Sequence, residues 1–119
     1  MPPIERVEKP WGHELIWAVT ERYAAKILVI APGCSLSLQY HEKKEETIYV
    51  NSGRVLVTYV DTDKSTSPVE VVLGMGQTFH VPPRMPHRFT ALDRMVELFE
   101  VSTPELDDVV RLKDDYGRA

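Results

Sequence analysis

Thiol chemistry is nearly absent: the chain has one cysteine, Cys34. No internal disulfide can form, which fits a reducing cytoplasm. Cys34 follows Pro32-Gly33 at a strand entrance; an inert buried thiol is a plainer reading there than a reactive one. No apolar run approaches the ~20 residues of a membrane span. The N-terminal stretch from Met1 to Lys9 lacks an apolar signal segment. Positive charge is in deficit, 14 Lys and Arg against 18 Asp and Glu for a net charge of −4. That argues against a nucleic-acid partner, which calls for a basic face. Internal repeats, low-complexity segments and interdomain linkers are also missing, as is any long amphipathic helix before Pro104. The 119 residues are therefore expected to form one domain, 1–119, that buries roughly two-thirds of its unfolded surface.

What is present is a series of short strands between turn signals. Leu15-Ile16-Trp17 is a weak first strand, and Tyr23 to Ile30 is a stronger one, apolar except for Lys26. Pro32-Gly33 turns the chain into Ser35 to His41. Arg54 to Asp61 is rich in Val, Thr and Tyr, a strand composition. Val69 to Leu73, Gln77 to Val81, His87 to Ala91 and Met95 to Val101 follow. About nine strands in so short a chain predict an all-β fold, a sandwich or a jelly-roll barrel over about 15–101. The remainder, 102–119, forms a tail. Thr103-Pro104 could cap a short helical turn. Leu106, Val109, Val110 and Leu112 would then lie against the barrel as a lid.

The stretch from Gly33 to Gly53 carries the first chemical signal. Gln39 and His41 are two apart, so on a strand they share a face. Glu42 to Glu45 reads as a polar turn, and Glu46 opens the next strand, which ends at Asn51-Ser52-Gly53. If the two strands are neighbours, Gln39, His41 and Glu46 converge, and an amide oxygen, an imidazole and a carboxylate can bind a divalent metal. The plainer alternative makes His41 a surface residue and Glu46 a solvated acid. A second stretch, Gly76 through Pro82 to Pro86-His87, favours the metal. Together the two resemble the paired motifs of the cupin superfamily. Gly33, Gln39, His41, Glu46 and Gly53 fall at the spacings of the first motif, with Gln39 where many cupins have a histidine. Gly76, Pro82 and His87 fit the second, with Arg84 and Ala91 where Gly and Asn are usual. The resemblance implies a cupin jelly roll with metal ligands Gln39, His41, Glu46 and His87.

A narrower resemblance spans about Val7 to Arg118. It is carried by Trp11-Gly12-His13-Glu14, by Leu36-Ser37-Leu38-Gln39-Tyr40-His41 and by Pro86-His87-Arg88. The tail adds Asp107-Asp108-Val109-Val110-Arg111 and Tyr116-Gly117-Arg118. These resemble the type II mannose-6-phosphate isomerases, a domain that also occurs fused behind a mannose-1-phosphate guanylyltransferase. After His41 the chain departs, with Glu42, Lys43 and Lys44 where further histidines are usual. The resemblance implies one divalent ion, zinc first, with manganese, nickel or iron as alternatives, and a sugar or sugar phosphate as ligand. Aldose–ketose isomerisation needs an electrophile, a base and a phosphate anchor. Glu97 and Glu100 have opposite strand parity, so at most one faces in; Glu100 matches the family's Glu-Val pair and is the preferred base. His80 is a second base candidate, although a surface histidine is the plainer reading. Lys26 is the phosphate anchor, since a buried ammonium needs an anion, either Glu100 or a ligand phosphate. Arg88 ranks below it because it alternates with His87 and should face out. Two other classes stay open: a metal-bearing cupin that binds a small ligand without turnover, and a cupin dioxygenase, which Gln39 disfavours. A homodimer is expected, with Val55-Leu56-Val57 and the N-terminal strand as contacts, because small jelly rolls leave edges that pair.

Overall fold

The computed structural model describes residues 4–118, and these contain strands, turns and loops but no helix. In chain order the strands are β1 (Glu5–Lys9), β2 (Gly12–Val19), β3 (Ala24–Ile30), β4 (Leu38–Tyr40), β5 (Glu46–Ser52) and β6 (Val55–Tyr59). Then come β7 (Val69–Leu73), β8 (Thr78–Val81), β9 (His87–Ala91), β10 (Val96–Ser102) and β11 (Val110–Lys113). They pair into a six-stranded sheet, β1-β2-β3-β10-β5-β8, and a five-stranded sheet, β11-β4-β9-β6-β7. The architecture is the expected all-β cupin jelly roll.

Period-two alternation builds the interior. Along β5, Glu46, Ile48 and Val50 are buried while Tyr49 and Asn51 are exposed. Along β10, Val96, Leu98, Glu100 and Ser102 are buried while Phe99 and Val101 are exposed. Leu28, Ile30, Ile48, Val50, Val55, Val57, Phe89 and Leu98 form the apolar centre. Each such side chain contributes about 1.5–3 kcal/mol by leaving water. At the other end of these strands the inward positions turn polar: Lys26, Glu46, His87 and Glu100 are all buried.

The structure corrects four expectations. Glu5–Lys9, which the sequence reading left outside the barrel, is a strand that pairs with β2 from Glu5↔Ile16 to Lys9↔Gly12. The tail has no helical turn at Thr103-Pro104. The Thr103 hydroxyl instead accepts the Glu45 amide at 2.9 Å, and Val110 and Arg111 pair with Tyr40 and Gln39. Two β-branched residues beside the free edge of β4 favour a strand there. Third, β4 and β5 are not neighbours: β4 pairs with β9 and β11, β5 with β10 and β8. Fourth, Val55 and Val57 are fully buried, and β6 lies between β7 and β9. Within the expected Val55–Val57 contact, the Val55 and Val57 side chains therefore face the core and half-buried Leu56 faces out.

Candidate metal centre

His41 follows β4, His87 opens β9, and Glu46 opens β5 in the opposite sheet. Closure of the barrel, rather than strand adjacency, brings them together. His41 Nε2 lies 3.0 Å from Glu46 Oε1, and His87 Nε2 lies 3.3 Å from the same oxygen. All three residues are buried, and one ligating atom of each lies within 4.8 Å of the others. The loop before β9 is tied to the first motif through the Arg84 amide, which donates to the His41 carbonyl at 2.6 Å. Arg84 has a φ of 70°, the left-handed conformation in which a glycine would be unstrained. The backbone there is the one the second motif usually builds with glycine.

The tautomers are legible from the backbone. His41 Nδ1 is 2.6 Å from the Asp108 carbonyl, and His87 Nδ1 is 3.0 Å from the Met85 carbonyl. A carbonyl only accepts, so both Nδ1 atoms carry the proton, and in the neutral rings both Nε2 lone pairs face inward. Two imidazole lone pairs and a carboxylate oxygen then face one another, with His87 Nε2 and Glu46 Oε2 lacking any hydrogen-bond partner. Such a set of acceptors needs a cation between them. Donors on a common zinc at about 2.0–2.2 Å stand roughly 3.3 Å apart at tetrahedral angles. The observed 3.0 and 3.3 Å separations fit, as does the histidine–carboxylate donor set. The residues present therefore suit a divalent ion. Gln39, the fourth expected ligand, lies opposite His87 on β4 and lines the same cavity. Its Oε1 accepts from Ser37 Oγ at 2.6 Å.

Beside the cluster lies a buried ion network. Glu100 Oε2 is 3.4 Å from Lys44 Nζ, both side chains being almost fully buried. Burial and the neighbouring Glu46 charge raise the Glu100 carboxyl to about 8, against the pull of Lys44. Burial works against ionised Glu46 too, but its close contacts with Glu100, His41 and His87 and the Lys44 charge bring its pKa well below the usual range. The pair holds one proton on the Glu100 side. Lys44 is held in its charged form: burial opposes the charge, and Glu100 and Glu46 together outweigh it.

The catalytic expectations divide. Glu100, the preferred one of two glutamates of opposite parity, points inward, while Glu97 pairs with Asn51 outside. Lys26 also points inward, but its anion is Glu14, at 3.3 Å, and not Glu100 or a ligand alone. His80 is not brought to the cluster: it is exposed and 2.6 Å from Glu45. Arg88 reaches the Leu36 carbonyl and Asp115, away from the cavity. Cys34 is half-buried against the core. Lys44 was missed, because Glu42 to Glu45 reads as a uniformly polar turn and nothing local marks one lysine as inward. Glu14 was missed as the partner of Lys26, although the Trp11-to-Glu14 stretch held it.

The cluster and the network share one cavity of about 290 Å³. Polar and charged walls come from Glu14, Lys26, Gln39, Lys44 and Glu100, apolar ones from Trp11, Ile16 and Phe89. That volume lies at the small end of ligand sites. Among the described residues no helix is long and apolar enough to cross a membrane.

Comparisons with known proteins give the family and the fold. The chain is 32% identical over 117 residues to the xanthan biosynthesis protein XanB of Xanthomonas campestris, which covers 95% of the chain and 24% of that protein. It is 33% identical over 115 residues to the mannose-1-phosphate guanylyltransferase ManC of Salmonella typhimurium, covering 94% and 23%. It thus spans about a quarter of the length of these curated relatives. Oxalate decarboxylase from Bacillus subtilis shares the fold, with a TM-score of 0.79 at 24% identity over 92% of this chain and 30% of that one. The family model described as a cupin domain matches residues 26–101, which hold all three residues of the cluster, and the chain belongs to the cupin family.

Proposed function

We propose that the chain is a metal-dependent sugar-phosphate isomerase that interconverts mannose 6-phosphate and fructose 6-phosphate in a reducing cytoplasm. The observation that carries the reading is the buried His41–Glu46–His87 cluster set beside Glu100 in a small, strongly polar cavity. Likeness to mannose-phosphate and polysaccharide-biosynthesis proteins over nearly the whole chain supports the substrate class. Gln39 completes the ligand set. A bound divalent ion, zinc first, supplies an electrophile for sugar oxygens. Glu100, raised to about 8, holds a proton at its carboxyl and exchanges it near neutral pH, as a catalytic acid–base should. Lys26, a cavity-lining cation already balanced by Glu14, receives the phosphate as a second anion. His80 has no part in this scheme.

The test is proton exchange. Zinc-loaded protein should exchange the C2 proton of mannose 6-phosphate with deuterated solvent and form fructose 6-phosphate. Glu100→Gln should slow exchange and keep its metal, whereas Glu46→Gln should lose both. Lys26→Ala should weaken phosphorylated substrates more than free sugars, because it removes a charge-assisted contact only the phosphate makes. Metal-loaded protein that binds the sugar phosphate without exchanging the proton would instead be a non-catalytic sugar-binding cupin.

The proposed assembly remains a homodimer, on a surface other than the Val55–Val57 segment. Trp17, Tyr49, Phe99 and Val101 are exposed on the outer face of the six-stranded sheet, with Tyr49 and Phe99 stacked at 6.0 Å. Exposed apolar patches of this kind mark contact surfaces. The occupant proposed is a second copy of this chain.

A further inference from the structure

We infer that Asp108, in the turn before β11, is a positioning residue for the metal centre and the means by which the tail shapes the site. The inference rests on the metal reading of His41, Glu46 and His87. Asp108 makes four contacts to the segment that joins β4 to β5. Its backbone carbonyl accepts from His41 Nδ1 at 2.6 Å. Its carboxylate accepts three consecutive amides: Glu42 at 3.0 Å through Oδ1, and Lys43 at 2.7 Å and Lys44 at 3.0 Å through Oδ2.

These contacts have separate consequences. The carbonyl sets the tautomer and ring orientation of His41, so that Nε2 faces Glu46. Groups that orient a metal ligand in this way contribute to metal affinity. The carboxylate gathers three N–H groups into a tight turn, the kind of concave amide array that suits an anion. That turn decides which lysine goes inside. Lys43 is exposed and Lys44 is buried, and Lys44 Nζ reaches Glu100 at 3.4 Å. Burying an ammonium is costly, and a loose turn would let Lys44 swing back to water. One aspartate therefore holds a ligand by its backbone and a buried cation by its side chain, in a segment whose two ends start and finish at metal-facing residues. The far end of the segment is held separately, by the Thr103 hydroxyl accepting the Glu45 amide at 2.9 Å and by Glu45 against His80 at 2.6 Å; the amides of residues 42–44 are held by Asp108.

Zinc affinity of the full chain, measured by competition with a chromogenic chelator, tests the inference alongside NMR of the metal-free protein. Asp108→Ala keeps the backbone carbonyl but removes the carboxylate that anchors the amides of residues 42–44, so the His41 contact should loosen and zinc should weaken by about 10-fold, the low end for groups that orient a metal ligand. The amides of residues 42–44 should exchange faster and the His41 ring-nitrogen shifts should move. Asp108→Asn keeps one acceptor oxygen and should fall between Asp108→Ala and wild type. Asp115→Asn, which breaks the tail's ion pair with Arg88, should leave zinc affinity unchanged. Unchanged zinc affinity in both Asp108 variants overturns the inference, as does an equal loss in Asp115→Asn, which would mean that the tail merely holds the barrel together. If folded wild type binds no zinc, the metal reading fails. The positioning role is then decided by the metal-free spectra: normal His41 shifts and amide exchange in Asp108→Asn refute it. If Asp108→Ala does not fold, Asp108→Asn gives the zinc result.

Discussion

His41, His87 and Glu46 meet as acceptors, so their arrangement is unfavourable without a cation. His41→Ala and His87→Ala should each lose most bound metal, measured by elemental analysis after gel filtration, because two remaining strong donors hold a divalent ion poorly. Full occupancy in both variants would remove the site. Glu100 gives a different handle. Its folded pKa of about 8 lies above the ordinary carboxyl value of 4.5, so the folded state keeps a proton that the unfolded chain releases. In metal-free protein its contribution to stability is complete below about pH 4.5 and is lost as pH rises through about 8. Glutamine in its place can still donate to Glu46 and accept from Lys44, and it does not titrate. Glu100→Gln should therefore flatten the decline in urea midpoint between about pH 5 and about pH 9. An undiminished decline would place the titration elsewhere.

At the scale of elements, the turn from β1 to β2 sets the cavity wall. Gly12 has a φ of 152°, and a Cβ there would overlap the Val29 backbone carbonyl on β3. Trp11, the residue before it, is buried and lines the cavity. Gly12→Ala should cost roughly 1–3 kcal/mol, the scale of a strained backbone position, read as a lower urea midpoint at unchanged slope. Wild-type stability would show that β2 can move away from β3 at no cost. The Trp-Gly pair is thus a packing requirement between two backbones. Strand limits were largely legible for the same local reason. Val69–Leu73 and His87–Ala91 were read at the ends the structure gives, because each alternates between turn residues. β1 was missed because Glu5–Lys9 is mostly charged, and its pairing partner β2 is the source of its order. β11 was read only as part of a lid, because Leu106, Val109, Val110 and Leu112 have a spacing that covers the barrel without fixing a strand, and the free edge of β4 made it one.

Over the whole molecule, two closely packed sheets confine the polar groups to one end and the apolar core to the other. The outer face of the six-stranded sheet carries the proposed dimer contact. Phe99→Glu should shift the mass seen by light scattering from dimer towards monomer and leave the fold intact, since Phe99 faces away from the core. A monomeric wild type at micromolar concentration would end the homodimer proposal.

What the sequence determined by itself was whatever depends on near neighbours in the chain. Strand alternation put at most one of Glu97 and Glu100 inside, resemblance to the family's Glu-Val pair favoured Glu100, and motif spacing marked His41, Glu46 and His87. A period of two and the spacing of a motif need no knowledge of the distant partner. Tertiary structure decided which charges meet. Lys26 found Glu14, two strands met across the barrel mouth instead of side by side, and Lys44 turned inward to Glu100 because Asp108, 64 residues further along the chain, holds its turn. Long, flexible side chains choose partners only once the barrel has closed, for the strength of a buried ion pair depends on distance and desolvation, neither of which exists until the two sheets face each other.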